Sequence, residues 1–166
     1  MIRVVVTGSE STGKTELARA LAAHYGTVWS GEFVREYMDA KGAALDATDV
    51  EAIARGQIAA EEEAVARAAR LVIHDTDLLS TVIYARHYYG GCPEWIERAA
   101  EERRGDLYLL LDIDVPWAPD IQRDRGDRRE EMHALFAEGI PGAVVIRGTW
   151  AERRLRAIEA VDSFLA

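Results

Sequence analysis

Eight residues near the start of the chain have the types and the spacing that a triphosphate site requires. Glycines stand at positions 8 and 13, and Lys14 and Thr15 directly follow the second glycine. Glycines let successive backbone N–H groups curve around a phosphate, a lysine neutralises the outer phosphates, and a threonine hydroxyl suits Mg²⁺. The motif therefore predicts a nucleotide site formed by Gly8, Ser9, Glu10, Ser11, Thr12, Gly13, Lys14 and Thr15.

The segments on either side of this motif are the ones that its chemistry needs. Residues 2–7 are a β-branched run, which is typical of a strand buried on both faces of a parallel sheet, and residues 14–24 have the apolar spacing of a helix. A loop between a strand and a helix places the phosphates at the positive end of the helix dipole. The motif is thus a Walker A P-loop, in which Lys14 bridges the β- and γ-phosphates as a catalytic residue and Thr15 binds Mg²⁺.

Strands and helices alternate along the rest of the chain. We predict strands at residues 27–29, 71–74, 107–111 and 143–146, and helices at 32–37, 47–69, 78–88, 93–103, 128–138 and 149–165. This order predicts one α/β domain over residues 1–166, a three-layer sandwich around a mostly parallel five-stranded sheet. Ligands of such sheets bind beyond the carboxyl ends of the strands. We expect four residues that follow strand ends to converge there: Gly8, Glu32, Asp75 and Asp112.

The composition argues against several classes of function. The net charge of -9 is wrong for a general nucleic-acid binder, which needs a basic face. The single cysteine, Cys92, excludes an internal disulfide, and no stretch has the length and apolarity of a membrane span or a signal peptide. We therefore expect a cytoplasmic protein whose partner is a small molecule, with no nucleic acid and no membrane. The oligomeric state is left open.

Acidic residues follow two of the buried strands. Asp75 ends the run 71–74 in the manner of a Walker B strand and is predicted to hold Mg²⁺, directly or through water, although a helix cap is the alternative. Asp77 either caps the next helix or lies near the phosphoryl acceptor. Asp112 and Asp114 are predicted to be turn residues rather than ligands.

Glu32 and Arg35 follow the second strand, where a phosphotransferase of this architecture presents groups to the acceptor. A solvated helix face explains these two residues equally well. Aromatic residues such as Tyr37 are predicted to pack in the core or at its rim, and one of them facing an aromatic substrate ring is the alternative.

Four arginines lie near a glycine between two predicted elements, at positions 123, 125, 128 and 129. Arginine suits a lid over a phosphoryl group, because its planar donors clamp phosphate oxygens. The interleaved aspartates favour a solvated charge run for Arg125 and Arg129. Arg123 and Arg128 are therefore the predicted catalytic arginines of the lid.

These pieces, taken in order, resemble the ribosylnicotinamide kinase domains of the NadR family and the stand-alone ATPases related to them. The Glu-x-x-Arg-Glu-Tyr and Asp-Thr-Asp pieces make the resemblance more specific than the P-loop alone. The matching pieces are residues 8–15, 32–37, 75–81, 88–90 and 114–117, followed by Asp120 and Arg123.

The resemblance implies a P-loop nucleoside/nucleotide-kinase-like fold with a short arginine-bearing lid. It implies an ATP-dependent phosphotransferase with an alcohol acceptor, which uses ATP and Mg²⁺ to phosphorylate nicotinamide riboside to nicotinamide mononucleotide. The predicted substrate-binding residues are Glu32, Arg35, Asp77 and Tyr37. Among the candidate general bases, Asp75, Asp77 and Glu32, the analogy with nucleoside kinases favours Glu32.

The nucleotidyltransferase and DNA-binding parts of the full regulator have no counterpart in these residues, so adenylyl transfer and repression are not expected. A kinase for another nucleoside or small alcohol, and a regulatory nucleotide-binding module without catalysis, are the alternative functions. The sequence also leaves the choice between ATP and GTP open.

Overall fold

Five strands form the centre of the fold in the computed structural model, which describes residues 1–115 and 128–166. The strands are β1 (Ile2–Thr7), β2 (Val28–Ser30), β3 (Leu71–Asp75), β4 (Leu107–Leu111) and β5 (Val144–Ile146). The helices are α1 (Lys14–Tyr25), α2 (Phe33–Lys41), α3 (Val50–Arg67), α4 (Leu78–Tyr89), α5 (Glu94–Glu102), α6 (Arg129–Gly139) and α7 (Trp150–Leu165). A short 3₁₀ helix, Ala47–Asp49, precedes α3.

The sheet has the strand order β2-β3-β1-β4-β5, and every pairing is parallel. β1 lies in the middle, with Ile2 opposite Leu71 of β3 and Val4 opposite Leu107 of β4. The predicted five-stranded α/β sheet is confirmed, and it is wholly parallel. Because β1 is central, the loop that follows it lies at the middle of the carboxyl edge, between the ends of β3 and β4.

Helices cover both faces of the sheet, because the side chains of β1 point alternately into an apolar core on each face. Val4 and Val6 point into a core that contains Leu21 of α1 and Val161 of α7. Val5 points to the opposite face, into a core that includes Phe136 of α6. Both faces of the central strands are thus apolar, which explains the continuous apolar runs in the sequence.

Two helix starts are set by reciprocal side-chain caps. The predicted long helix 47–69 is broken near its start, because the carboxylate of Asp46 accepts the Thr48 N–H while Asp49 accepts the Asp46 N–H, which closes a 3₁₀ turn before α3. The predicted capping box before α7 is confirmed: the Glu152 N–H donates to Thr149 Oγ1 at 3.2 Å, and the Thr149 N–H donates to Glu152 Oε2 at 2.7 Å.

None of the helices within residues 1–115 and 128–166 is long and apolar enough to cross a membrane. Most of the predicted arginine lid, including Arg123, lies outside the described residues.

Candidate functional site

The P-loop has the backbone conformation of an anion-binding nest. Gly8 and Gly13 have φ angles of 137° and 86°, and Ser11, at 58°, also has a left-handed conformation. A Cβ at Gly8 would lie 2.9 Å from the carbonyl oxygen of Leu111, so the loop passes too close to β4 for any side chain. This conformation lets backbone N–H groups converge on one phosphate.

Lys14 is held close to the loop that precedes it. Its ammonium donates a hydrogen bond to the Ser9 carbonyl at 3.0 Å, and the Thr12 hydroxyl donates to the same carbonyl at 2.9 Å. Lys14 is only 7% exposed, yet it also lines the cavity described below. Lys14 could therefore contact a phosphate bound in the loop while the loop keeps its conformation.

Thr15 and Asp75 are joined across the carboxyl edge of the sheet. The Thr15 hydroxyl donates to Asp75 Oδ2 at 2.6 Å, while Asp75 Oδ1 is buried and has no hydrogen-bond partner within the described part of the chain. Burial raises the pKa of the Asp75 carboxyl, as does the neighbouring Glu32, and Lys14 opposes them. Hydroxyl and carboxylate oxygens are the donors that Mg²⁺ prefers, so these two residues fit the predicted metal site.

A cavity of about 340 Å³ opens beside the P-loop on the side of β2 and β3. Its polar wall contains Glu10 and Lys14 of the P-loop motif, together with Glu32, which directly precedes α2, and Arg35 in the first turn of α2. Its opposite walls come from α2, α3 and α4. The aromatic residues among them are Tyr84, Tyr88 and Tyr89.

Glu32 and Arg35 form an ion pair at the edge of this cavity. Arg35 Nε lies 3.0 Å from Glu32 Oε2, and the Glu32 side chain is 12% exposed. Glu32 also raises the pKa of Asp75 electrostatically, which places its charge close to the end of β3. The two residues are therefore part of the cavity rather than a solvated helix face.

Glu10 is a second carboxylate in the cavity, and sequence reasoning treated it only as a P-loop position. The Tyr84 hydroxyl donates to Glu10 Oε1 at 3.0 Å, whereas Glu10 Oε2 is buried without a hydrogen-bond partner among the described residues. Burial raises the pKa of Tyr84, and Glu10 raises it further, so the hydroxyl remains a donor. No local pattern could reveal this bond, because the partners are 74 residues apart.

Two predicted substrate-binding residues lie away from the cavity wall. Asp77 is buried under α4, where its Oδ2 accepts a hydrogen bond from the Tyr108 hydroxyl at 2.6 Å. The Tyr37 hydroxyl donates to Asp49 Oδ1 at 2.7 Å. Neither residue lines the cavity. The chain turns sharply at Thr76, whose φ angle is 63°, so Asp77 is buried while Thr76 lines the cavity.

The two described lid arginines differ in burial. Arg128 is half-buried at the start of α6, whereas Arg129 is 8% exposed. Arg129 Nη1 donates to the Val115 carbonyl at 2.8 Å, but Nε and Nη2 are buried and have no partner within residues 1–115 and 128–166. The expectation that Arg129 belongs to a solvated charge run is thus wrong, because α6 turns this side chain to the same face as Phe136.

Arg153 holds the P-loop in place, although nothing in the sequence of its arginine-rich helix sets it apart. Its guanidinium donates to the carbonyls of Thr12 at 3.1 Å, Asp112 at 2.9 Å and Gly148 at 3.0 Å, and it pairs with Asp114. It is 1% exposed. Arg153 therefore links the P-loop by hydrogen bonds to the residues that follow β4 and β5.

Asp112 lies on the β5 side of the P-loop. Its carboxylate accepts the Ile113 N–H at 2.8 Å and is 3.2 Å from Arg147 Nε. It does not line the cavity. The expected single crevice is thus divided: Glu32 and Asp75 lie on one side of the P-loop and Asp112 on the other.

Comparison with known proteins places this geometry in a family. The model of the AAA domain family matches residues 3–153, and the chain belongs to that family of P-loop proteins. The trifunctional NAD biosynthesis/regulator protein NadR of Escherichia coli K12 is 31% identical over 173 aligned residues, which are 98% of this chain and 42% of that protein.

Two crystal structures of NadR have the same fold. The structure in complex with NAD and AMP-PNP gives a TM-score of 0.77 at 27% identity, and covers 98% of this chain and 49% of that one. The structure in complex with NR gives 0.76 at 27% identity, and covers 98% and 51%. The resemblance inferred from the motifs is confirmed, and the chain spans about half the length of the NadR proteins it matches.

Proposed function

We propose that the chain is an ATP-dependent kinase that phosphorylates the 5′-hydroxyl of nicotinamide riboside to give nicotinamide mononucleotide. The observation that carries this proposal is that Lys14 belongs to both the P-loop and the wall of the neighbouring cavity. A molecule in the cavity would lie next to the phosphate that Lys14 holds, which is the proximity that phosphoryl transfer needs. A module that only senses nucleotide has no need of this second cavity.

The chemistry of the cavity suits a nucleoside with a cationic ring. Its volume of about 340 Å³ falls in the range of small-molecule sites. The carboxylates among its lining residues, Glu10, Glu32 and Asp46, outnumber the cations Lys14 and Arg35. The rings of Tyr84 and Tyr88 offer aromatic contacts that favour a cation such as a pyridinium. The NadR structures in complex with NR and with AMP-PNP support the same choice of acceptor and donor.

Each residue has a distinct part in the proposed reaction. The P-loop N–H groups and Lys14 would hold ATP, and Thr15 and Asp75 would hold Mg²⁺, which would supply positive charge to the phosphates. The riboside 5′-oxygen forms the new bond to the γ-phosphorus while the bond from that phosphorus to ADP breaks. Glu32 accepts the hydroxyl proton, and Arg35, which binds one oxygen of Glu32, orients it. Arg123 and Arg128 remain proposed lid residues.

The test is ADP release by the purified chain, measured with Mg²⁺-ATP against a panel of nucleosides and small alcohols. We expect nicotinamide riboside to accelerate ADP release many-fold, and Lys14→Ala to remove that acceleration while the protein stays folded. Stimulation by another nucleoside alone would show that the acceptor is wrong. Slow turnover with every acceptor, despite tight ATP binding, would indicate a regulatory module.

A further inference from the structure

An exposed tryptophan lies against the phosphate loop. Trp150, the first residue of α7, is 60% exposed, although it is among the largest apolar side chains of the protein. Its six-membered ring covers Gly13, because a Cβ built on Gly13 would lie 2.3 Å from Cζ3 of the ring. The packing of the core does not require Trp150, so its position at the loop needs another explanation.

The direction of a bound triphosphate follows from the position of the acceptor cavity. The γ-phosphate must point to that cavity, which lies with Glu10 and Glu32 on the β2 and β3 side of the loop. The other end of the triphosphate, with its nucleoside, must therefore leave the loop on the opposite side. The strand order puts β4, β5 and the start of α7 there. The nucleoside of the donor should thus emerge beside Trp150.

The indole is held in place before any ligand binds. The capping box of Thr149 and Glu152 fixes the backbone at the start of α7. The guanidinium of Arg153 lies 5.6 Å from the centre of the Trp150 ring, and this guanidinium is itself held by three backbone carbonyls. An aromatic residue that is held in this way and is still 60% exposed binds a flat ligand at little cost in conformational entropy.

We propose that Trp150 is the stacking platform for the base of the nucleotide donor. The inference rests on the proposed kinase function, and it adds to that function a subsite that distinguishes a nucleotide from a polyphosphate without a base. Loss of one base-to-aromatic stack is expected to weaken binding by about 10-fold or more. Because a purine ring has more stacking area than a pyrimidine, Trp150 should also favour ATP over CTP.

The experiment measures the binding of ATP, CTP and inorganic tripolyphosphate, each with Mg²⁺, by titration calorimetry. Three variants are compared with the unmodified chain: Trp150→Ala, Trp150→Phe and, as a matched control, Leu155→Ala, since Leu155 is 58% exposed on the same helix. Trp150→Ala should raise the Kd of ATP by about 10-fold. It should leave the Kd of tripolyphosphate within about two-fold and reduce the preference for ATP over CTP, because only the base contacts the ring.

Trp150→Phe keeps an aromatic face and should retain most of the affinity for ATP, while Leu155→Ala should bind all three ligands normally. Thermal unfolding of each variant checks that the fold is intact. Equal weakening of ATP and tripolyphosphate by Trp150→Ala, or no weakening of either, would overturn the inference. Failure of the unmodified chain to bind ATP would instead contradict the proposed function, so the two failures are distinguishable.

Discussion

The Thr15 hydroxyl donates a 2.6 Å hydrogen bond to Asp75, and this bond joins the P-loop to the end of β3. The second oxygen of the Asp75 carboxylate is buried and has no partner among the described residues. A buried carboxylate oxygen without a partner is costly, and a cation between the two side chains would relieve that cost. The pair therefore fits the Mg²⁺ site that the proposed function requires.

Asp75→Asn tests this site, because it keeps the size of the side chain and removes its charge. The Mg²⁺ concentration that is needed for half-maximal ATP binding should rise by at least about 10-fold in the variant. ATP binding in EDTA should be unchanged or stronger, since a negative charge near the phosphates is lost. Turnover of the unmodified chain should stop in EDTA and return when Mg²⁺ is restored. If ATP binding by the unmodified chain and by Asp75→Asn depends on Mg²⁺ in the same way, Asp75 is a structural residue and not a metal ligand.

Arg153→Ala should cost much more stability than Arg154→Ala on the same helix. Arg153 is buried and satisfies three backbone carbonyls as well as Asp114, whereas Arg154 is exposed. Removing a buried charged partner that holds several groups costs about 3 kcal/mol, and an exposed substitution costs about 0.5 kcal/mol or less. Urea unfolding measures both values. Similar losses in the two variants would show that Arg153 does not hold the P-loop in place.

Glu61 should make the free energy of unfolding depend on pH. Burial raises the pKa of Glu61 to about 7, and nearby Asp77 raises it as well. The protonated form is therefore favoured in the folded state, and its contribution to stability is lost as the pH rises through about 7.

Between pH 5 and pH 8 the unmodified chain should lose on the order of 1 kcal/mol or more relative to Glu61→Gln, which cannot titrate. Glu63→Gln, at an exposed position of the same helix, should follow the unmodified chain. Urea unfolding at several pH values gives the comparison. Parallel pH profiles for the unmodified chain and Glu61→Gln would contradict the assignment.

The sequence predicted the elements of this fold because buried parallel strands are continuous β-branched or leucine-rich runs, as in residues 2–7 and 107–111. It could not predict their order. A strand that is apolar on both faces has no side-chain pattern that identifies its neighbours in the sheet. Nothing in the local sequence therefore indicates that β1 lies between β3 and β4.

The P-loop was predictable because its eight residues are contiguous, but the residues around it were not. Glu10 meets Tyr84 across 74 positions, and Arg153 meets Thr12 across 141. Asp77 was a reasonable substrate ligand on spacing alone. The left-handed turn at Thr76, which no local pattern indicates, directs the carboxylate toward Tyr108.

Glu32→Gln should keep the binding of ATP and riboside within a few-fold and lower kcat by about 100-fold, the usual scale for a lost general base. The reason is that Glu32 lines the cavity close to Asp75, and Arg35 orients it by binding one of its carboxylate oxygens. Glu36→Gln, at an exposed position of α2, the helix that Glu32 precedes, is the control and should have normal kcat. Asp77→Asn should leave the KM for riboside unchanged, since Asp77 does not line the cavity. Normal kcat in Glu32→Gln would move the role of base to another carboxylate.

Arg129→Met should impair turnover more than Arg128→Met, contrary to the choice that the sequence favoured. Arg129 is buried beside the end of β4, and Nε and Nη2 have no partner in the described residues. Burial lowers the pKa of its guanidinium, and the carboxylate of Glu10 in the P-loop opposes that shift, so the two groups lie close to each other. Nε and Nη2 could bind the transferring phosphoryl group from this position, and losing such a donor lowers kcat by about 100-fold or more.

Methionine keeps the packing of the arginine stem, so folding should be preserved, and urea unfolding checks this. The comparison measures kcat and the Kd of ATP for both variants. Arg129→Met should lower kcat with little change in the Kd of ATP, because the contact forms mainly in the transition state. Arg128→Met should change kcat by no more than a few-fold. A larger loss of kcat in Arg128→Met would support Arg128 as the catalytic arginine instead. A loss of stability in Arg129→Met without a change in kcat would show that Arg129 is a structural residue.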